Sequence, residues 1–121
     1  MSDEGVPGVP FDLVSDQLDG MAVVTVSGEI DLTTSDSLQG SIERTTSPTV
    51  VLDLSRVAFL DSSGIRAIDR SRRFLVSQER SLLIVSPPDT PSAWTLRVAG
   101  FDRQLVVESL DGLRGADGQT A

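Results

Sequence analysis

The sequence predicts an α/β domain with a small mixed β-sheet flanked by helices. Three observations indicate this class. Asp19-Gly20 is a strong two-residue turn signal between apolar segments, and it predicts an antiparallel hairpin. Segments 49–54 and 81–85 are nearly continuous apolar runs, as in strands that are covered on both faces. Segments of helical periodicity separate the later strands, and this alternation is typical of parallel strands joined by helical crossovers.

The individual elements follow from turn signals and apolar periodicity. In chain order they are strands at 11–14 and 21–26, a weak polar helix that carries Leu38 and Ile42, a strand at 49–54, a helix from Ser63 to about Gln78, a strand at 81–85, a helix from Thr90 to Ala99, a strand at 105–107, and a turn or short helix near Leu110 and Leu113. Thr33 with Asp36 offers a variant capping box for the first helix. Gly100 suits a left-handed cap after the third helix.

The chain is about one domain long. We expect a disordered N-terminal segment at 1–10, the domain at 11–113 and a flexible C-terminal tail at 114–121, because both ends are poor in large apolar residues. No apolar stretch approaches the roughly 18 residues that span a bilayer, and the N-terminus lacks a basic region followed by an apolar one. We therefore expect a cytoplasmic protein with no membrane contact.

Composition argues against several classes of function. The formal charge is −8, and such a chain repels a phosphate backbone, so we expect no direct DNA binding. Histidine and cysteine are both absent, which removes the usual general base and the usual soft metal ligands. We expect no enzyme, no cofactor and no metal. A protein is the more plausible partner.

The tetrapeptide Asp61-Ser62-Ser63-Gly64 begins the second predicted helix. Asp61 and Ser62 are both good N-caps, so one short polar side chain can cap the helix while the next stays free. Of the two serines, Ser62 is the better cap. A phosphate there would add roughly −1.5 to −2 charges at a helix terminus that tolerates them. Serine caps are common, so a plain cap explains the tetrapeptide equally well. Gly64 would ease the approach of a kinase, or it would allow close packing of helix on sheet.

Loops that follow parallel strands lie along one edge of a sheet, where ligands usually bind. Segments 28–31, 61–64 and 86–88 are therefore expected to lie close together. Beyond the serines, Arg66, Arg70 and Arg73 share one helix face on an otherwise acidic chain. This arginine stripe suits an acidic partner surface, although a solvated helix face would look the same.

Two segments carry a family resemblance. Residues 51–65, which include Val51-Leu52-Asp53-Leu54-Ser55 and Phe59-Leu60-Asp61-Ser62-Ser63-Gly64-Ile65, resemble the signature of STAS-domain anti-sigma factor antagonists. Gly28-Glu29-Ile30-Asp31 resembles the second hallmark of that family. The order of elements agrees over nearly the whole chain. The resemblance implies the STAS fold.

The resemblance also implies a phosphorylation-controlled binding module for bacterial transcription regulation in stress response or sporulation. In such partner switching, the unphosphorylated antagonist binds an anti-sigma factor with a histidine-kinase-like ATPase domain and frees a sigma factor. Phosphorylation abolishes this, and a serine phosphatase restores it. The motif points to Ser63, less so to Ser62, as the acceptor. With the arginine stripe found from the helix face, the expected partner-binding residues are Asp31, Asp61, Ser62, Gly64, Arg66, Arg70 and Arg73.

Two other functions remain as alternatives. One is a stand-alone STAS ligand-sensing or scaffold module that binds a nucleotide or lipid. The other is a hydrolase with Ser62 or Ser63 as nucleophile, but no histidine or lysine is present to activate it.

Overall fold

The structure is a computed structural model that describes residues 10–101 and 106–109. These residues form one five-stranded sheet with three helices. The elements are β1 (Asp12–Leu18), β2 (Met21–Ile30), α1 (Ser35–Glu43), β3 (Thr49–Leu60), α2 (Ser62–Ser77), β4 (Ser81–Val85), α3 (Pro91–Val98) and β5 (Val106–Val107). The strand order is β1-β2-β3-β4-β5. Only the first pair is antiparallel and the others are parallel, which confirms the α/β class.

The hairpin forms at Asp19-Gly20 as predicted. Both residues have positive φ, 51° and 82°, which is the backbone that a two-residue primed turn requires. β1 is longer than the predicted strand at 11–14 and continues to Leu18. Its second half is polar and exposed, so it lacks an apolar pattern, and backbone pairing with β2 defines it instead.

The sheet separates its side chains by residue parity, as the strand period requires. Even-numbered residues of β2, β3 and β4 join the main core, namely Ala22, Val24, Val26, Val50, Leu52, Leu54, Leu82 and Ile84. Leu38, Ile42, Ile68, Leu75 and Leu96 of the helices belong to the same cluster, so the helices pack on one face. Right-handed crossovers between sequential strands place them there. Met21, Val23, Val51 and Val85 form a smaller cluster on the other face.

β2 and β3 project well beyond β4. The strand predicted at 49–54 continues to Leu60, because backbone pairing with β2 resumes at Arg56 after a register irregularity. β4 ends at Val85, which pairs with Asp53, seven residues before Leu60. At a rise of about 3.3 Å per residue this offset is about 23 Å. The expectation that segment 86–88 joins the other two loops is therefore wrong.

The first helix forms without the predicted capping box. Its N-cap is Thr34, which makes no side-chain capping hydrogen bond, and Thr33 lies outside the helix. Fully buried Leu38 and Ile42 anchor α1 to the core despite its polar sequence. Tertiary burial thus replaces the local signal that the sequence suggested.

The other helices follow their predicted bounds closely. α2 runs from Ser62 to Ser77, close to the predicted helix from Ser63 to about Gln78. α3 is capped by Thr90, and Gly100 after it has φ 88° as predicted. Apart from Pro10, the terminal segments expected at 1–10 and 114–121 lie outside the described residues. The element predicted near Leu110 and Leu113 lies outside them as well. None of the helices in the described ranges has the length and apolarity that a membrane span requires.

Candidate functional site

The two family-like loops meet at the projecting end of β2 and β3. The Asp61 backbone N–H donates a hydrogen bond to the Ile30 carbonyl over 3.2 Å, just beyond the last pairing of the two strands at Ile30 and Leu60. Segments 28–31 and 61–64 are therefore neighbours, as predicted. We call this end of the sheet the serine edge.

Asp61 organises the start of α2. Its Oδ1 accepts hydrogen bonds from the backbone N–H groups of Ser63, at 2.9 Å, and Gly64, at 3.1 Å. Of the two predicted candidates, Asp61 is thus the N-cap, and Ser62 is the first helical residue. A carboxylate accepts two N–H bonds more strongly than a neutral hydroxyl does.

The two serine hydroxyls are left uncommitted by this arrangement. Ser62 is exposed and Ser63 is half-buried, and no hydrogen bond to either Oγ occurs among the described residues. Because Asp61 already caps the helix, both hydroxyls are chemically available. Exposure alone does not select one serine over the other.

Gly64 is required by packing. A Cβ on Gly64 would collide with Leu60 Cδ1 and would lie 2.7 Å from Ile30 Cγ2 and 3.2 Å from the Ile30 carbonyl oxygen. The glycine is buried, which supports the packing explanation given above. It lets the first turn of α2 lie directly on the ends of β2 and β3. We therefore give Gly64 no place in the contact surface proposed below.

Asp31 stabilises the turn that leads into α1. Its Oδ1 accepts hydrogen bonds from the Thr33 hydroxyl at 2.7 Å and the Thr33 N–H at 2.9 Å, with a longer contact of 3.4 Å from the Thr34 hydroxyl. These bonds favour the ionised carboxylate, and the Thr33 hydroxyl contributes most to lowering the pKa of Asp31 below its ordinary value. The loop therefore keeps a fixed negative charge next to Ile30 and Asp61.

The predicted arginine stripe is present on the outer face of α2. Arg66, Arg70 and Arg73 are all exposed. Arg73 Nε lies 3.0 Å from Asp69 Oδ2, with the two side chains 75% and 36% exposed, so the pair is a surface ion pair of small energy. Arg66 follows Ser62 by four residues and Ser63 by three, so it lies on the same side of the helix as the serines.

Two exposed apolar residues at the serine edge were not singled out from the sequence. Leu32 is 76% exposed and Phe59 is 47% exposed. Leu32 directly follows the Gly28-Glu29-Ile30-Asp31 hallmark, and Phe59 lies inside the family-like segment 51–65 on β3. An available signal for Leu32 was its position in the loop after β2, since loops run over protein surfaces.

Two surface clefts lie away from the serine edge. One, of about 470 Å³, lies between the β1–β2 hairpin and the end of α1, with Ser41 and Arg44 in its wall. The other, of about 520 Å³, lies between α3 and β5. Within residues 10–101 and 106–109, no group of three or more aspartate or glutamate side chains is arranged to hold a metal ion.

Known proteins share this architecture. An anti-sigma factor antagonist from Mycobacterium paratuberculosis is 28% identical, with a TM-score of 0.78 over 88% of this chain and 93% of that one. The anti-sigma factor antagonist SpoIIAA in its unphosphorylated form is 20% identical, with a TM-score of 0.66 over 88% and 97%. A sulfate transporter family protein from Wolinella succinogenes is 19% identical, with a TM-score of 0.70 over 83% and 86%. The last two share the fold alone.

A search of curated proteins gives no match to this chain. The model of the STAS domain family matches residues 12–111, which is most of the chain and includes both loops of the serine edge. The sheet, its helices and this match agree with the resemblance found in the motifs. The chain belongs to the STAS domain family.

Proposed function

We propose that this protein is an anti-sigma factor antagonist. Its unphosphorylated form binds an anti-sigma factor that is also a serine kinase and so frees a sigma factor, and phosphorylation of Ser63 abolishes the binding. The observation that carries the proposal is the serine edge, where the Ile30–Asp61 hydrogen bond joins both hallmark loops. Beside this bond lie two serine hydroxyls that make no hydrogen bond among the described residues. The similar fold of an anti-sigma factor antagonist at 28% identity supports it.

The geometry suggests how a phosphate would act. The N–H groups of Ser63 and Gly64, which would otherwise attract an anion at the helix start, already donate to Asp61. A phosphate on Ser63 adds roughly −1.5 to −2 charges beside that carboxylate, and the helix terminus cannot neutralise them. Such a charge changes what the surface can bind rather than how the chain folds. Arg66 is the nearest described cation along α2 that could partly pair with it.

The partner surface in this proposal is the serine edge with the outer face of α2. Asp31, Asp61 and Ser62 lie on the two joined loops, and the arginine stripe continues along the helix. A serine phosphatase would remove the phosphate. The chain itself then performs no catalysis and needs no cofactor, since the kinase supplies the ATP site.

The test uses purified anti-sigma factors with a histidine-kinase-like ATPase domain from the genome that encodes this chain. After incubation with ATP, fragment-ion mass spectrometry should locate one phosphate on Ser63, and Ser63→Ala should abolish it. Ser62→Ala is the matched control and should still be modified. The unphosphorylated chain should displace a sigma factor from the same kinase, and the phosphorylated chain should not.

Three results would contradict the proposal. These are modification confined to Ser62, continued modification of Ser63→Ala, and equal displacement of the sigma factor by both forms. Binding of a nucleotide or lipid with no kinase partner would instead support the ligand-sensing alternative.

A further inference from the structure

Leu32 and Phe59 differ from the other exposed apolar residues by their position. Val14, Val76, Trp94 and Val98 are also exposed, on β1, on the end of α2 and on α3. Single exposed apolar side chains are common on protein surfaces, so exposure alone shows little. Leu32 and Phe59, however, lie on either side of the bond that joins the two loops of the serine edge.

The chain geometry places both residues close to the serines. Leu32 comes two residues after Ile30, while Phe59 lies two residues before Asp61 and Ser63 two residues after it. Two residues span at most about 7 Å. All three therefore lie within that distance of the Ile30–Asp61 hydrogen bond.

A protein partner that acts on Ser63 covers much more surface than this. A standard interface buries about 800 Å² on each partner, which corresponds to a disc of about 16 Å radius. Phosphoryl transfer requires the kinase to bring its ATP to the serine oxygen in line, so the interface must include the serine edge. Leu32 and Phe59 are near enough to Ser63 along the chain for the same interface to reach them.

We propose that Leu32 and Phe59 are the apolar contacts by which the serine kinase holds the unphosphorylated chain. This inference rests on the proposed function and names the groups that provide affinity at that site. The arrangement fits the anatomy of known interfaces, in which a small apolar centre is surrounded by a polar rim. Here the rim consists of Glu29, Asp31 and Arg66.

The apolar contacts also give the phosphate its effect. A phosphate on Ser63 would have to enter an interface whose nearest surface is partly apolar, and burial of an unpaired dianion there is strongly unfavourable. Affinity from Leu32 and Phe59 is insensitive to salt, because it comes from burial of apolar surface rather than from charge. Affinity from the arginine stripe falls with salt.

The decisive experiment is titration calorimetry of the unphosphorylated full chain with the same purified kinase and ADP, at about 0.1 and 0.5 M salt. The double variant Leu32→Ala/Phe59→Ala should bind at least about tenfold more weakly, or about 1.4 kcal/mol, at both salt concentrations. The matched control, Val14→Ala/Val98→Ala, removes side chains on β1 and α3 that are 53% and 65% exposed, outside the proposed partner surface, and should bind like wild type.

Folding is checked by circular dichroism. Leu32→Ala alone changes a side chain that is 76% exposed, so it keeps the fold and should still weaken binding at least about threefold. Wild-type affinity in both the single and the double variant would overturn the inference while leaving the proposed function intact. An equal loss in the Val14→Ala/Val98→Ala control would also overturn it.

Two further outcomes are informative. Failure of the wild-type chain to bind any such kinase would overturn the proposed function and this inference together. Sedimentation that shows a dimer dependent on Leu32 and Phe59, with kinase affinity unchanged, would assign the surface to a second copy of the chain.

Discussion

Gly64 offers the sharpest test of the structure, because the same substitution at two helical glycines should have opposite effects. In Gly64→Ala, the new methyl group meets Leu60, the Ile30 side chain and the Ile30 carbonyl. Overpacking of this kind costs about 1–3 kcal/mol. The Ile30 carbonyl belongs to the bond with Asp61, so the strain cannot be relieved by rotating one side chain.

Gly40→Ala is the matched control within α1. There the added Cβ would approach only Arg44 Nη1, at 3.2 Å, which is the end of a flexible and exposed side chain. The greater helix propensity of alanine should therefore dominate and stabilise the protein by up to about 1 kcal/mol. The same gain partly offsets the strain in Gly64→Ala, which leaves a net loss of up to about 2 kcal/mol.

Urea unfolding followed by far-ultraviolet circular dichroism measures both changes. Gly64→Ala should lower the unfolding midpoint and Gly40→Ala should raise it, with similar slopes. If Gly64→Ala is as stable as wild type, the close packing of α2 on β2 and β3 is incorrect. If Gly40→Ala is the less stable of the two, the reasoning from local space fails.

Two further predictions concern charge. Thr33→Val should raise the pKa of Asp31 towards its ordinary value in a carboxyl NMR titration, since the hydroxyl is the largest cause of the lowered pKa. That stabilisation is present above the unfolded pKa of about 3.9 and is lost as pH falls through the lower folded pKa, so the pH-dependent part of the stability difference between the two proteins should vanish at sufficiently acid pH. Arg70→Ala/Arg73→Ala should slow stopped-flow association with the kinase and reduce the salt dependence of the association rate. Each arginine should contribute up to about 1 kcal/mol to binding. Arg97→Ala on α3 is the control. Equal association rates in all variants would show that the arginine stripe is only a solvated helix face.

The fold could be predicted wherever burial leaves a pattern in the sequence. Strands 21–26, 49–54 and 81–85 and the helix of Ile68 and Leu75 were recognisable because core residues recur with the right period. The second half of β1 and the extension of β3 to Leu60 were missed because backbone pairing with β2 maintains them and demands no apolar residues. That extension then determined which loops meet.

The site could be predicted only in part for the same reason. Parallel topology predicted that segments 28–31 and 61–64 meet. That segment 86–88 does not join them depended on the strand lengths, which composition does not encode. Asp61 was recognised as a possible cap, yet the choice between it and Ser62 depended on which side chain reaches two N–H groups at once. Leu32 was missed because an apolar residue next to a hallmark is ordinarily interpreted as core.

The residues of the serine edge have two kinds of role: some fix the local geometry, and others would contact a partner in the proposed function. Asp61 and Gly64 fix the first turn of α2 against the sheet, one by hydrogen bonds and the other by having no side chain. Because the cap belongs to Asp61, neither serine hydroxyl is needed for the fold, and a modification there leaves the helix intact. An added charge on Ser63 would therefore change the interactions of the surface around it, which contains acidic neighbours and exposed apolar groups. The proposed switch would therefore act on a partner rather than on the folding of its own chain.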